Sequence, residues 1–271
     1  MIGASREALA AGRENLESLT DNTSVDTVKL AEELAAVTAL LNREVSLRRT
    51  LTDPSRSGQD KAQLIASLLG GQVSGETVDL VSGLVRSRWS GARDLVDAVE
   101  ELSAYAEIVA ADKAGKLDNV EDEVFRFGRI VAGSYELRSA LTEPKATAEA
   151  KAELVKKLLG GRAEAASVRL ITTLVVHPRG RSLEQGLDAY SKLAAARRDR
   201  VVAEVTTAVP LLDSQKERLS AALTRLYGRQ VHLNIDIDPE VRGGVRVQIG
   251  DEIIDGTVSS RLEGARQALE G

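Results

Sequence analysis

Hydrophobic positions recur every three or four residues through most of the chain, and that period predicts helices. Leu9, Gly12, Leu16 and Leu19 share a face from about Ala4 to Leu19, which Asp21-Asn22-Thr23-Ser24 ends. A longer stripe of Leu30, Leu34, Val37, Leu41 and Val45 predicts a second helix continuing to Leu51, where Thr52-Asp53-Pro54 stops it. Shorter helices follow over Gln59–Leu69, closing on Gly70-Gly71 as a left-handed terminus, and over Gly75–Ser87. From Gly91 to Gly133 the pattern stays helical past the weak breakers Gly115 and Gly128, as one long helix or two with a kink.

The period changes between Ala194 and Leu212. Val201, Ala203, Val205, Thr207 and Val209 alternate with Val202, Glu204, Thr206 and Ala208, so a helix runs out into a strand. Beyond this pivot the order reads strand, helix, strand, strand, helix. Asp213 or Ser214 caps a helix through Tyr227, Ser214 and Glu217 fitting a capping box, with Leu219, Leu223 and Leu226 as its stripe and Gly228 past its end. Val231–Ile237 alternates as a half-buried strand, and a strand-helix-strand crossover makes it parallel to the first. Val245, Val247 and Ile249 form another strand, Gly250-Asp251 a tight reversal, and Ile253-Ile254 the return. A last helix from Thr257 aligns Val258, Leu262, Ala265 and Leu269.

The helical part repeats itself. LRRTLTDPSRSGQDKAQLIASLLGG from Leu47 and LRSALTEPKATAEAKAELVKKLLGG from Leu137 are identical at about half their positions, at a constant offset of 90 residues. Leu80-Val81/Leu170-Ile171 and Leu84-Val85/Leu174-Val175 extend the match. The second copy has no separate counterpart of the Ala4–Leu19 helix, because its first helix is fused to the end of the first copy. The fold class expected is mainly α with a small α/β C-terminal domain: an N-terminal helical bundle with an internal duplication, then β-α-β-β-α. Residues 1–199 form the helical region, with related units over about 25–110 and 115–199, and residues 200–271 form the small α/β domain.

Composition adds exclusions. The 271 residues are 43% hydrophobic and 28% charged, an ordinary globular balance. Cysteine is absent, so disulfides, thiolate metal sites and a Cys nucleophile are excluded. With 41 acidic against 36 basic residues, the overall field disfavours nucleic acid and anionic lipid. No apolar run reaches the ~20 residues of a membrane span, and MIGASREALAAGRE lacks a signal-peptide core, so cytosolic placement is expected.

Candidate chemistry is thin. His177, in VVHPRGR, reads as an exposed turn residue before it reads as a general base, since no second upstream histidine accompanies it. Trp89 reads as a packing anchor or contact residue, and aromatics at 3% are too few for a single-strand binding groove. Arg179/Arg181 and Arg197/Arg198/Arg200 suit phosphate or local ion pairs. Gly243-Gly244 with Gly250 lacks any nucleotide-binding fingerprint and reads as tight turns. Asp236, Asp238, Asp251, Glu252 and Asp255 are solvated carboxylates before they are Mg²⁺ ligands. No catalytic residue, cofactor or metal site is expected.

Ala203–Leu211, AEVTTAVPL, and Asp238–Arg266, DPEVRGGVRVQIGDEIIDGTVSSRLEGAR, resemble the C-terminal domain of the δ subunit family of F-type ATP synthases, the oligomycin-sensitivity-conferring protein of mitochondria. LRRTLTDP followed by KAQLIASLLGG resembles that family's N-terminal bundle, and its double occurrence resembles the enlarged actinobacterial form. The resemblance implies a non-catalytic part of the peripheral stalk, or stator, on the cytoplasmic face of the cell membrane, in one copy within a hetero-oligomeric complex. Its partners would be the α/β head, through N-terminal helices of α subunits, and the b-type stalk helices, with no nucleic acid and no membrane insertion. Carried over by position, Leu9, Leu16 and Leu19 match the first bundle helix and its groove. Gly243 and Gly244 match the family's double glycine, and Asp255-Gly256 its turn into the last helix. The competing reading is a helical nucleic-acid-binding adaptor using the arginine clusters.

Overall fold

The computed structural model describes residues 3–21, 24–198, 201–228, 231–239, 241, 243–249 and 252–257. The chain divides into two compact units, Met1–Arg198 and Asp199–Gly271. The first holds eleven helices among its described residues: α1 Ala4–Asp21, α2 Thr27–Arg43, α3 Val45–Thr52, α4 Gly58–Leu69, α5 Gly75–Arg86, α6 Ala92–Lys113, α7 Leu117–Gly133, α8 Tyr135–Thr142, α9 Ala148–Leu159, α10 Ala165–Val176 and α11 Leu183–Arg198.

The duplication is carried through to three dimensions. Helices α2 to α5 and α7 to α10 start and end 90 residues apart, without exception. Equivalent positions are built alike: Leu51 and Leu141 are both fully buried, and Gly71 and Gly161 both end their helices at positive φ, 74° and 71°. The caps repeat too. Glu33 of α2 accepts hydrogen bonds from the Ser74 N–H and hydroxyl ahead of α5, and Glu123 of α7 accepts the Glu164 N–H ahead of α10 at 2.9 Å. A carboxylate from the first long helix thus satisfies open donors at the start of a later one.

Helix α6 belongs to both copies. It packs against α1, α2 and α3 on one side and α10 and α11 on the other, so Leu95, Val96, Ala98, Val99 and Leu102 are buried around its whole circumference. The Gly91–Gly133 stretch is therefore two helices. Gly115 at φ 66° breaks them, with the Lys116 N–H returning to the Ala111 carbonyl at 2.8 Å, while Gly128 stays inside α7 against Leu187.

The predicted long second helix is also two. Glu44, at φ −93° and ψ 81°, separates α2 from α3, and the Arg48 guanidinium bonds the freed Leu41 carbonyl at 3.1 Å. The break turns Val45 away from its predicted stripe. Leu30, Leu34, Val37 and Leu41 are buried, and Val45 is 44% exposed.

In the second unit, β1 Val201–Thr207, β2 Val231–Ile237, β3 Val245–Ile249 and β4 Glu252–Asp255 form one sheet in the order β2-β1-β3-β4. β1 and β2 run parallel, Val201 opposite Val231, as the crossover through α12, Asp213–Tyr227, requires. β3 pairs antiparallel with β1 and β4 with β3. The core comprises Ala203, Val205, Leu223, Val231 and Val247.

Three local expectations shift. The cap of α12 lies at Leu212, whose N–H is taken by the Gln215 side chain at 2.8 Å, ahead of Asp213 and Ser214. Leu226 is 66% exposed, because the apolar face runs Leu219, Leu223, Tyr227 in steps of four. β1 ends at Thr207, leaving Val209 outside it and exposed. The Gly250-Asp251 reversal and the helix from Thr257 through Val258, Leu262, Ala265 and Leu269 lie outside the described residues.

Candidate partner-binding surfaces

Helix α1 is amphipathic, and its core face is Ser5, Ala8, Gly12, Leu16 and Thr20. Leu16 is wholly buried, whereas Leu9 and Leu19 are half-buried and flank it, packed on the same core. These three leucines therefore fasten α1 to the bundle. Gly12 sets its distance from α5, since a Cβ there would stand 2.6 Å from Leu84 Cδ2. On the α6 side, Tyr105 donates to Glu17 at 2.5 Å, Arg13 pairs with Glu101 at 2.6 Å and lies over the Tyr105 ring, and the Ser5 hydroxyl donates to Asp94 at 2.7 Å. On the α5 side, Asn15 lies 3.7 Å from where a Gly83 Cβ would stand, and Ala11 and Asn15 are exposed. Solvent reaches α1 along this second flank, a side the hydrophobic pattern does not mark, because its residues are alanine, asparagine and glutamate.

The arginine clusters are spent on internal bonds. Arg179, held at φ 53°, pairs with Asp97 and with Glu100 of α6, and Arg181 pairs with Glu100 as well. Arg197 pairs with Asp112 at 2.6 Å and Arg198 with Glu121 at 2.7 Å, while Arg200 lies outside the described residues. Glu100 is 4% exposed, and a buried carboxylate of this kind costs several kcal/mol unless paired, so these guanidiniums are committed. His177 is exposed at the end of α10, where its backbone N–H bonds the Thr173 carbonyl. Trp89 packs against the core and donates its indole N–H to the Leu84 carbonyl at 2.8 Å.

In the second unit the four family-motif residues meet at one corner. Gly243 and Gly244 have φ of 69° and 82°, and a Cβ on Gly244 would collide with the Gly256 carbonyl and stand 2.9 Å from Thr257 Cα. The Gly256 N–H bonds the Val245 carbonyl at 3.0 Å. Asp255 accepts the Thr257 N–H at 2.9 Å, and Thr257's hydrogen bonds hold the carboxyl below its usual range. The glycines permit close backbone approach at the end of β4. Asp236, Asp238, Glu252 and Asp255 do not converge, and among the described residues no three His, Cys, Asp or Glu side chains are arranged to hold a metal ion.

Comparison with known proteins adds what geometry alone does not. The family described as ATP synthase delta (OSCP) subunit matches residues 99–269. This chain belongs to that family. It is 67% identical to the ATP synthase subunit delta of Streptomyces griseus over 271 residues, covering 100% of both chains. Identity is 65% to the Streptomyces coelicolor protein of the same name, over 99% of this chain and 98% of that one. It is 48% to the Thermobifida fusca protein, over 100% of each. These three relatives match this chain along essentially its whole length, at 98–100% of each chain. A chain of the Toxoplasma gondii mitochondrial ATP synthase hexamer aligns with 62% of this chain and 95% of its own length, at 20% identity and a TM-score of 0.30. These matches give no support to a nucleic-acid-binding adaptor, and no helix among the described residues is long and apolar enough to cross a membrane.

Proposed function

We propose that this chain works in the peripheral stalk of an ATP synthase, joining the catalytic head to the b-type stalk helices and resisting rotor torque during proton-driven ATP synthesis. It sits peripherally on the cytoplasmic face of the cell membrane, in one copy, and catalyses no reaction itself. The observation that carries this reading is identity of 67% with an ATP synthase subunit delta along the entire chain. The helical region, residues 1–199, serves the head and residues 200–271 the stalk helices.

The physical chemistry of the chain is in keeping with a load-bearing link. Two helical copies share α6, and ion pairs such as that of the buried Glu107 on α6 with the half-buried Arg169 on α10, at 2.6 and 2.7 Å, tie their helices together. Two parallel N–H···O bonds between planar groups resist sliding better than apolar contact alone. Leu9, Leu16 and Leu19 would then hold α1 in place for a partner to use its outer flank, and Gly243, Gly244, Asp255 and Gly256 would shape a corner of the second unit without touching a partner.

The test is capture of the tagged full chain from gently solubilised native membranes, with recovered proteins identified by mass spectrometry. Recovery of α, β and b-type subunits is expected. Nucleic acid or unrelated proteins in their place would sink the proposal.

A further inference from the structure

The duplication displaces the point at which the second unit is attached. Helix α11 is the second copy's counterpart of α6, and the chain leaves the helical unit at its last residue, Arg198, with Asp199 opening the second unit. The second unit is therefore joined through the second copy, while α1, α2 and α3 belong to the first. A pull at residue 199 peels α11 from its C-terminal end. Apolar contacts are non-directional and give way one turn after another under such a load.

Polar ties gather in that last turn. Arg198 pairs with Glu121 of α7 at 2.7 Å, and Arg197, 8% exposed, pairs through Nε with Asp112 of α6 at 2.6 Å. The Arg197 guanidinium also bonds the Tyr105 hydroxyl, and these two partners outweigh burial and hold its pKa above the ordinary value. Tyr105, buried two turns before Asp112 on α6, donates its own hydroxyl to Glu17 of α1 at 2.5 Å. Asp112, Arg197, Tyr105 and Glu17 thus form one chain of bonds across the last, the shared and the first helix. Charge-assisted bonds of this kind are directional and stronger than neutral ones, and losing one member leaves a buried group unpaired. The repeat does not account for the tie. Position 107, the counterpart of 197, is a glutamate that turns to Arg169 of α10.

We propose that Arg197 is a positioning residue for torque transmission. It takes load entering at the joint with the second unit and returns it, through Asp112 and Tyr105, to α6 and to Glu17 of α1, so that both copies bear it. This rests on the stalk reading above, in which the second unit holds the stalk helices.

The test is single-molecule pulling of the full chain, which has no cysteine of its own, so handles go on by single substitutions. In one geometry the handles sit at the exposed Ser67→Cys on α4 and at the C-terminus, which loads the end of α11 once the second unit has opened. In the other they sit at Ser67→Cys and the exposed Lys157→Cys on α9, which does not. Forced unfolding follows the rate at which the first contacts in line break, so Arg197→Leu should lower the helical unit's unfolding force by about a third in the first geometry and leave the second unchanged. Tyr105→Phe, which cuts the step to Glu17, should lower it by less. Leu174→Ala, in the core on α10, should weaken both geometries and so marks general destabilisation. Circular dichroism and melting of each variant check folding. Equal loss in both geometries under Arg197→Leu would make the residue an ordinary stabilising group and overturn the inference, as would no loss in the first geometry or an inert Tyr105→Phe. Each of these outcomes leaves the stalk function standing, which falls if capture from native membranes returns the wild-type chain without synthase subunits.

Discussion

Tyr190 is 4% exposed on α11, and its hydroxyl has no hydrogen-bond partner among the described residues. Burial pushes the phenol's pKa up, and a buried unpaired hydroxyl costs about 1–3 kcal/mol. Tyr190→Phe should therefore stabilise the helical unit by roughly 1 kcal/mol, raising the urea midpoint with the slope unchanged. Glu33 is the opposite case. Burial raises its pKa, but the Ser74 and Thr77 hydrogen bonds outweigh this and hold it below its usual value of 4.5. A carboxyl with a depressed folded pKa contributes stability above its unfolded pKa and loses it as pH falls through the folded one. Glu33→Gln should cost about 1–2 kcal/mol at pH 7, and the difference from wild type should shrink below about pH 4 in urea titrations. Neither role is legible in the sequence. Glu33 and Ser74 are 41 residues apart, and only the packed bundle brings them to 2.6 Å. The arginines illustrate the same limit: as bare sequence they suit phosphate, and their partners Asp97, Glu100 and Asp112 lie more than 75 residues away.

Elements were more legible than their partners, because periodicity is a local signal. The ends marked by glycine or proline were found, including Gly71, Gly161 and Gly228, since positive φ is a property of the residue itself. Gly115 should show this directly: Gly115→Ala, at φ 66°, is expected to cost about 1 kcal/mol, read as a lowered melting temperature. The Glu44 break between α2 and α3 left no such mark. Neither glycine nor proline stands there, and the break shows only in the packing of α2 and the short α3 on α6. The Leu226 misassignment has a related origin, since steps of three and of four both satisfy a helical stripe and only the sheet beneath α12 selects Tyr227.

At the scale of the molecule the duplication was visible in the sequence through a run of 25 residues, and the fold extends it to four helix pairs at a fixed spacing. The exposed flank of α1 was not visible, because openness depends on which helix happens to lie across it. The two units differ sharply in core size. Five buried side chains form the described core of the second, against a cluster running from Leu16 to Ala194 in the first. Val205→Ala, at 1% exposure, should thus cost about 2 kcal/mol of the second unit's stability. Hydrogen exchange should report faster opening in residues 201–257 with protection of the helical unit unchanged.

The sharing of α6 bears on the protein's history. A domain copied end to end can be lost again by deletion, because each copy keeps a complete surface. Here neither copy does. Removing the helices after α6 would turn Leu170, Ile171 and Leu174's burial partners to water, and removing those before it would strip the opposite side of the same helix. Each excision exposes apolar area at about 25 cal/mol per Å², a large fraction of a domain's net stability. The fused helix thus acts as a shared keel: with apolar residues on both sides of α6, loss of either copy would leave one of its faces open to water.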